Sequence, residues 1–279
     1  MCPRRHIIGT GGLMELTLFK RLLAEMKDRD VEAVVPFFRG ESLLHPDCLE
    51  MLALLKEKTS AKIQLATNAL LLDEETSKGL LGIGLDFISF SVDAVKKDTY
   101  EKIRIGGDFD LAMKNIHTFL SLKKQTPFAK PETQVSATEN DHNKAEIPAF
   151  IDTWRSCVDR VRIYPEHSRN GRFGELARGS GGIQGRHQDI CRKLITDMVI
   201  YYNGGVALCN HDWDESLHDP LGTVRDQTIH DIWNGKAYQQ IRKRHLSDNR
   251  GGVRPCVFCD HWVGVDPKKA MIGHLITSR

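Results

Sequence analysis

The chain has 279 residues, 39 of them Lys or Arg and 37 Asp or Glu, for a formal net charge of +2. That near balance offers no field to draw it onto nucleic acid or an anionic membrane, and no apolar run approaches the ~18 residues needed to cross a bilayer. With no signal-peptide core, the chain reads as cytoplasmic, with no nucleic-acid and no membrane partner; its seven cysteines point to metal ligation or redox chemistry rather than to disulfides.

In chain order, a first helix is followed by a repeat of strand and helix. VEAVVPFF (31–38) is a continuous apolar run suited to a buried parallel strand, and 47–58 has apolar spacing suited to a helix, with Pro46 near its first turn. KIQLAT (62–67) precedes a helix over about 73–83, DFISFSV (86–92) precedes helical segments up to about 124, TQVSAT (133–138) precedes 144–156, and DRVRIY (159–164) closes the series. Five strands alternating with helices predict a parallel sheet covered by helices, either open or curved toward a barrel. Residues 166–187 are rich in Gly and Arg and read as a linker or loop. Beyond them, 198–209 predicts a β-hairpin around Asn203-Gly204, and 229–245 a helix weakened at Gly235.

Polar residues recur where the strands end. The first run leads into Arg39-Gly40-Glu41-Ser42, the second ends in Thr67-Asn68, the third in Ser91-Val92-Asp93, the fourth leads to Glu139-Asn140 and the fifth to Pro165-Glu166-His167. Each alone is an ordinary turn or helix cap. In a parallel α/β barrel, however, the carboxyl ends of the strands share one face, and that face holds the active site.

The second module carries two cysteine pairs. Cys191 and Cys209 form C-x17-C, with the hairpin returning the second thiol, and Cys256 and Cys259 form C-x2-C in PCVFC. Four soft ligands in two pairs suit an iron–sulfur cluster, with a tetrahedral zinc as the other reading. His211 and His261, each two residues past a ligand cysteine, fit the surroundings of such a site rather than its ligands. Cys48 and Cys157 have no partner at ligand spacing and read as inert thiols, and IRKRH (241–245) reads as the solvated face of its helix.

These segments resemble the radical S-adenosylmethionine (SAM) enzymes over nearly the whole chain. FFRGESLLHP is similar to that family's Gly-Glu-Pro segment, with Ser42 in place of the proline; ATNALLL and SVDAVKKDTYEKIR resemble the stretches after the next two strands; the module from Cys191 resembles a SPASM or twitch-type auxiliary-cluster domain. MCPRR resembles the tail of the family's C-x3-C-x2-C motif, which makes Cys2 its third ligand and Met1 an internal residue, with the first strand and two ligands upstream. The resemblance implies a partial (β/α)6 TIM-like barrel over 1–165 with its first strand missing, a linker over 166–187, and a small hairpin-and-helix cluster domain over 188–279.

It further implies that Gly40, Glu41 and Ser42 meet the SAM ammonium, that Asn68, Ser91 and Asp93 meet its carboxylate or ribose, and that Cys191, Cys209, Cys256 and Cys259 hold a [4Fe-4S] auxiliary cluster. The implied activity is that of an oxidoreductase or maturase acting on a peptide or small hydroxylated metabolite, supplied with electrons by a flavodoxin or ferredoxin. The SAM-binding [4Fe-4S] cluster follows only once the upstream ligands are restored. The alternative is a non-catalytic remnant holding one iron–sulfur cluster or a structural zinc.

Overall fold

The computed structural model describes residues 11–27, 29–126, 130–166, 191–212, 219–247, 253, 256, 259 and 274–277. Contacts group Met26–Pro165 with Met271–Arg279 in one compact unit, and Met1–Glu25 with Glu166–Ala270 in another. Each chain end therefore joins the unit built mainly from the opposite half, a grouping that division by chain order does not produce.

The first unit is a parallel sheet of β1 (Ala33–Val34), β2 (Lys62–Thr67), β3 (Phe87–Ser91), β4 (Glu132–Glu139) and β5 (Arg160–Pro165), in that spatial order. Between the strands run α2 (Cys48–Lys58), α3 (Glu74–Ile83), α4 (Lys97–Ile103), α5 (Phe109–Gln125) and α6 (Ile147–Trp154), numbered after the amino-terminal helix α1 (Leu16–Met26). Consecutive strands lie side by side because each crossover helix must pack back onto the sheet it left. Asp73 and Asp108 cap α3 and α5 through Thr76 and Leu111 N–H groups, so both helices begin where the sequence supplies a short carboxylate.

The strands alternate. Ile63, Leu65, Ile88, Phe90, Val135, Val161 and Ile163 are buried on one face, and the edge contact of Phe90 with Phe119 of α5, centroids 5.5 Å apart, marks it as the helix-covered face. The pleat sends Gln64 and Ala66, Ser89 and Ser91, Gln134 and Ser136, and Arg160 and Arg162 to the other. That face is polar, which a sheet apolar on both sides would not be.

Two readings of the chain are corrected here. The run 31–38 is not one buried strand: only Ala33 and Val34 pair with β2, Pro36 has no N–H to give, and Phe37 N–H turns back to Val35 O at 2.7 Å. Val35 and Phe37 accordingly stay 50% and 43% exposed. A strand not foreseen, β8 (His274–Thr277), pairs antiparallel with β5 and closes that edge of the sheet; four residues of mixed character give too little periodicity to announce it.

In the second unit, α1 buries Leu18, Phe19, Leu22 and Leu23 along one stripe. Its polar side is tied to the 225–229 segment: Glu15 pairs with Arg225 at 3.1 Å, and Glu25 accepts Ile229 N–H at 2.6 Å. The hairpin of β6 (Val199–Ile200) and β7 (Val206–Ala207) turns at Gly204, whose φ of 92° needs a glycine. A short helix, α7 (Lys193–Thr196), precedes it, and α8 (Ile229–Trp233) and α9 (Lys236–Leu246) follow, separated at Asn234-Gly235, the predicted weak spot. Among the described residues, no helix is long and apolar enough to cross a membrane.

Candidate functional site

One side chain ties the loop after β1 to the carboxyl end of β2. Glu41 caps a short 3-10 turn (Ser42–Leu44), accepting Leu43 N–H at 3.3 Å, and its other oxygen accepts Asn68 N–H at 2.8 Å from the end of β2. Asn68 in turn accepts Leu70 N–H at 2.9 Å, and Ser42 donates its hydroxyl to Pro36 O. Because Thr67 lies opposite Phe90 in the register, Asn68 and Ser91 follow at neighbouring strand tips. A Cβ added at Gly40 would meet nothing within 4 Å, so the space on the side-chain side of this backbone is open.

Backbone strain is concentrated at these tips. Among the described residues the non-glycine positions with positive φ are Arg39 (62°), Ala69 (64°) and Asp93 (70°). Ala69 and Asp93 each lie two residues past a strand end, of β2 and β3, and Arg39 lies in the loop after β1. Left-handed backbone in a residue with a Cβ costs about 1–2 kcal/mol and survives only where its surroundings enforce it.

The enforcing residues escaped the sequence reading. Asn115, buried in α5, donates its amide to Ala69 O at 2.8 Å and Leu70 O at 3.2 Å. Asn143, fully buried, donates to Asp93 O at 2.7 Å and Thr138 O at 2.9 Å. Glu146 accepts Val95 and Lys96 N–H and the Thr99 hydroxyl, fixing the segment after β3. The one available signal was Asn115 itself, a weak helix former on the stripe it shares with Ala112, Ile116 and Phe119.

The predicted SAM residues therefore divide. Glu41, Asn68 and Ser91 gather at the carboxyl edge, beside Gly40 and Ser42. Asp93 is turned inward at 2% exposure, paired with Arg104 at 2.6 Å and accepting Thr138 N–H at 2.7 Å, so its carboxylate holds the turn together. Cys2, His167 and His261 lie outside the described residues. Cys48 is buried, and burial first, then the nearby Glu41 charge, pushes its thiol up to about 11, which keeps it unreactive.

In the second unit, Cys191 and Cys256 pack against Leu194, Leu208 and Val253, and Cys259 N–H closes the C-x-x-C turn on Cys256 O at 3.3 Å. Burial pushes the Cys209 thiol up to about 12. Cys256 is raised too, first by burial and then by the charges of Cys209, Cys259 and Cys191. The His211 backbone N–H donates to Cys209 Sγ at 3.4 Å. Among the described residues, no three Cys, His, Asp or Glu side chains stand as close as a single ion requires. Tetrahedral zinc, with Zn–S of ~2.3 Å, would need its sulfurs about 3.8 Å apart; an iron–sulfur cluster takes each thiolate on a different iron, and four thiols are the donor set it uses.

The 241–245 reading is corrected. Arg242 lies over Trp233 at 4.2 Å and Tyr238 at 4.9 Å and donates to Leu194 O and Trp233 O, while His245 is 1% exposed. Its solvated part is Lys243 and Arg244. The cationic stem covers aromatic surface because a guanidinium is weakly hydrated and stacks well.

A strand-and-helix partial barrel with polar residues at its carboxyl edge, followed by a four-cysteine module, is the architecture of a class of cofactor-dependent α/β proteins. Residues 1–126 match the radical SAM superfamily and residues 191–260 match SPASM, an iron–sulfur cluster-binding domain. The chain thus carries a radical SAM domain followed by a SPASM domain, whose cofactors are SAM and iron–sulfur clusters. It is 30% identical over 124 residues to a probable GTP 3′,8-cyclase of Methanococcus maripaludis, covering 44% of this chain and 39% of that one. The chain thus spans about two fifths of that relative's length.

Among solved structures, it superposes on BtrN in complex with AdoMet and 2-DOIA with a TM-score of 0.59 at 17% identity, over 94% of this chain and 86% of that one. It also superposes on Streptococcus suis SuiB bound to precursor peptide SuiA with a TM-score of 0.64 at 16% identity, over 81% and 59%. These likenesses show the fold, a partial barrel of radical SAM type.

Proposed function

We propose that this protein is a radical SAM oxidoreductase or maturase acting on a peptide or a small hydroxylated metabolite. When bound, SAM and a reduced iron–sulfur cluster supply a 5′-deoxyadenosyl radical, which takes a hydrogen atom from the substrate. The chain's own part is positioning. The Gly40 backbone and Glu41 carboxylate receive the SAM ammonium with Ser42 shaping that turn, and Asn68 and Ser91 meet its carboxylate or ribose. Asp93 acts at one remove by holding the turn beside Ser91. Cys191, Cys209, Cys256 and Cys259 hold the auxiliary cluster, close enough in chemistry to accept the electron a substrate radical gives up. A flavodoxin- or ferredoxin-type protein would be the electron donor.

The observation that carries this reading is the pair of strained, non-glycine turns at Ala69 and Asp93, just past two neighbouring strand tips and each braced by a buried asparagine, beside the residues assigned to SAM. The two family matches also favour radical chemistry over a metal-binding remnant. The test is anaerobic reconstitution of the product of the full reading frame. It should release 5′-deoxyadenosine from SAM, and Glu41→Gln should lower that release roughly 10- to 100-fold, the worth of one charge-assisted hydrogen bond, with iron content unchanged. Glutamine keeps an acceptor for Asn68 N–H, so the fold is retained. Wild-type protein that takes up iron yet never cleaves SAM would overturn the proposal.

A further inference from the structure

Among the described helices of eight residues or more, α9 alone carries basic residues and no acidic one: Lys236, Arg242, Lys243 and Arg244 occur with no Asp or Glu between them. The helices α1, α2, α3 and α5 mix the two signs, as solvated helices ordinarily do. The inner stripe of α9 is engaged, with Tyr238 and His245 buried and Arg242 lying over Trp233 and Tyr238. Lys236 and Lys243 stand about two turns apart on the outer stripe. Both are exposed, and among the described residues neither has a carboxylate partner. Helix stability accounts for only one of them, because the dipole favours a cation at Lys243 in the last turn and opposes one at Lys236 in the first.

The same helix walls the cysteine site. Ile241 packs on the Leu194, Leu208 and Val253 cluster that Cys191 and Cys256 also touch, and Arg242 Nε donates to Leu194 O at 2.8 Å, joining α9 to α7. One helix, about 10–12 Å across, thus lies between those cysteines and the outer lysines. Arg192, exposed directly after Cys191, adds a further cation. Ile195 and Leu246, 50% and 71% exposed, leave apolar surface on the same two helices. A small cationic patch with some apolar surface suits a transient protein complex, in which charge steers the encounter and little area is buried.

We propose that the outer face of α9 docks an acidic one-electron carrier protein, which exchanges an electron with the cluster held by the four cysteines. The proposal rests on the radical SAM reading for the presence of that cluster and its need of a carrier. One electron passes in each encounter: the reduced cluster loses it and the oxidised carrier gains it, with no bond made or broken. A nucleic acid would match the charge, but no aromatic side chain interleaves Lys236, Gln239, Gln240 and Lys243 for bases to stack on.

Biolayer interferometry of the reconstituted full chain against oxidised flavodoxin, an acidic carrier, and cytochrome c, a basic one, tests this. Flavodoxin should bind in the micromolar range at about 20 mM salt and about tenfold or more weakly at about 200 mM; cytochrome c should not bind. Lys236→Glu together with Lys243→Glu should weaken flavodoxin about tenfold or more, with iron content and circular dichroism unchanged. Lys62→Glu together with Lys114→Glu, an equal change of charge on exposed residues of the parallel-sheet unit, should stay within about threefold of wild type. Stopped-flow oxidation of the dithionite-reduced cluster by flavodoxin should slow with the first pair in the same proportion. If that pair does not fold, Lys236→Gln with Lys243→Gln replaces it and should weaken flavodoxin about threefold or more. Equal losses from both pairs, no loss from either, or no flavodoxin binding to wild type overturns the proposal, as does a short DNA duplex that displaces flavodoxin and needs the same lysines. If lysine-dependent docking holds while the wild type never cleaves SAM, the docking face stands and the radical SAM reading falls; if SAM is cleaved and flavodoxin docks without these lysines, the reverse holds.

Discussion

At Ala69 a methyl group is held at a φ of 64° with no surface exposed, between a carboxylate-bound Asn68 and two carbonyls gripped by Asn115. Glycine adopts that φ without the clash of Cβ with the neighbouring carbonyl, at the cost of extra freedom in the unfolded chain. Ala69→Gly should therefore leave the melting temperature unchanged or raise it, by up to about 1 kcal/mol in stability. Ala66→Gly, at an ordinary strand position on β2, should lower stability by about 1 kcal/mol. Thermal unfolding of the two variants side by side measures the difference, and a loss at 69 as large as that at 66 would show that no strain is held there. Ala69 could not be singled out from the sequence, because alanine carries no mark of an unusual φ; the contacts that impose it come from a helix more than 40 residues away.

The strands are anchored at their other end by acidic residues of a different kind. Asp86, just before β3, accepts Ile63 N–H at 3.0 Å from β2 and Lys56 Nζ at 3.0 Å from α2, and pairs with Lys130 at the entry to β4. Burial alone would raise its carboxyl, but hydrogen bonds from Lys130, Ile63 N–H and Lys56, together with the Lys56 charge, hold it down at about 2. Asp159, before β5, does similar work with Lys123 and both Thr133 donors and is likewise lowered, with burial opposing the hydrogen bonds.

A carboxyl lowered on folding contributes stability that is present above its unfolded value near ~4 and is lost as pH falls through the folded value. For Asp86 that is roughly 2–3 kcal/mol, lost between about pH 4 and pH 2. Asp86→Asn should flatten the fall of the melting temperature over that window relative to wild type. A profile parallel to wild type would remove Asp86 from this role. The carboxylates at the amino ends thus hold the sheet together, while those at the carboxyl ends, Glu41 foremost, shape the site.

For the whole molecule, the two units rely on different means. The parallel-sheet unit has an apolar, helix-covered layer under its polar face. Around Leu194, Leu208 and Val253 the unit with the four cysteines gathers mostly short elements, two-residue strands and helices of four and five residues, beside the longer α9. Elements that short bury little and gain from a covalent centre that ties them together. Iron removal from anaerobically loaded protein by oxidation and chelation, followed by calorimetry, should lower the transition of this unit by several degrees and leave that of the parallel-sheet unit in place. A cluster that comes off with no change in either transition would mean the module folds without it.

The sequence announced the order of strands and helices, the hairpin at Gly204, the break near Gly235 and the two cysteine pairs, because periodicity, turn chemistry and ligand spacing are all local along a chain. It also placed Asn68 and Ser91 at strand tips, whereas Glu41 proves to stand in the loop beyond the shortened β1. Tertiary structure alone decided that Asp93 turns inward to Arg104, that Asn115 and Asn143 brace the strained turns, that β8 crosses to the edge of β5, and that the sheet has a polar face. Each of these depends on residues far apart in sequence meeting at hydrogen-bonding distance, and no local pattern encodes a partner that only the folded chain brings within reach.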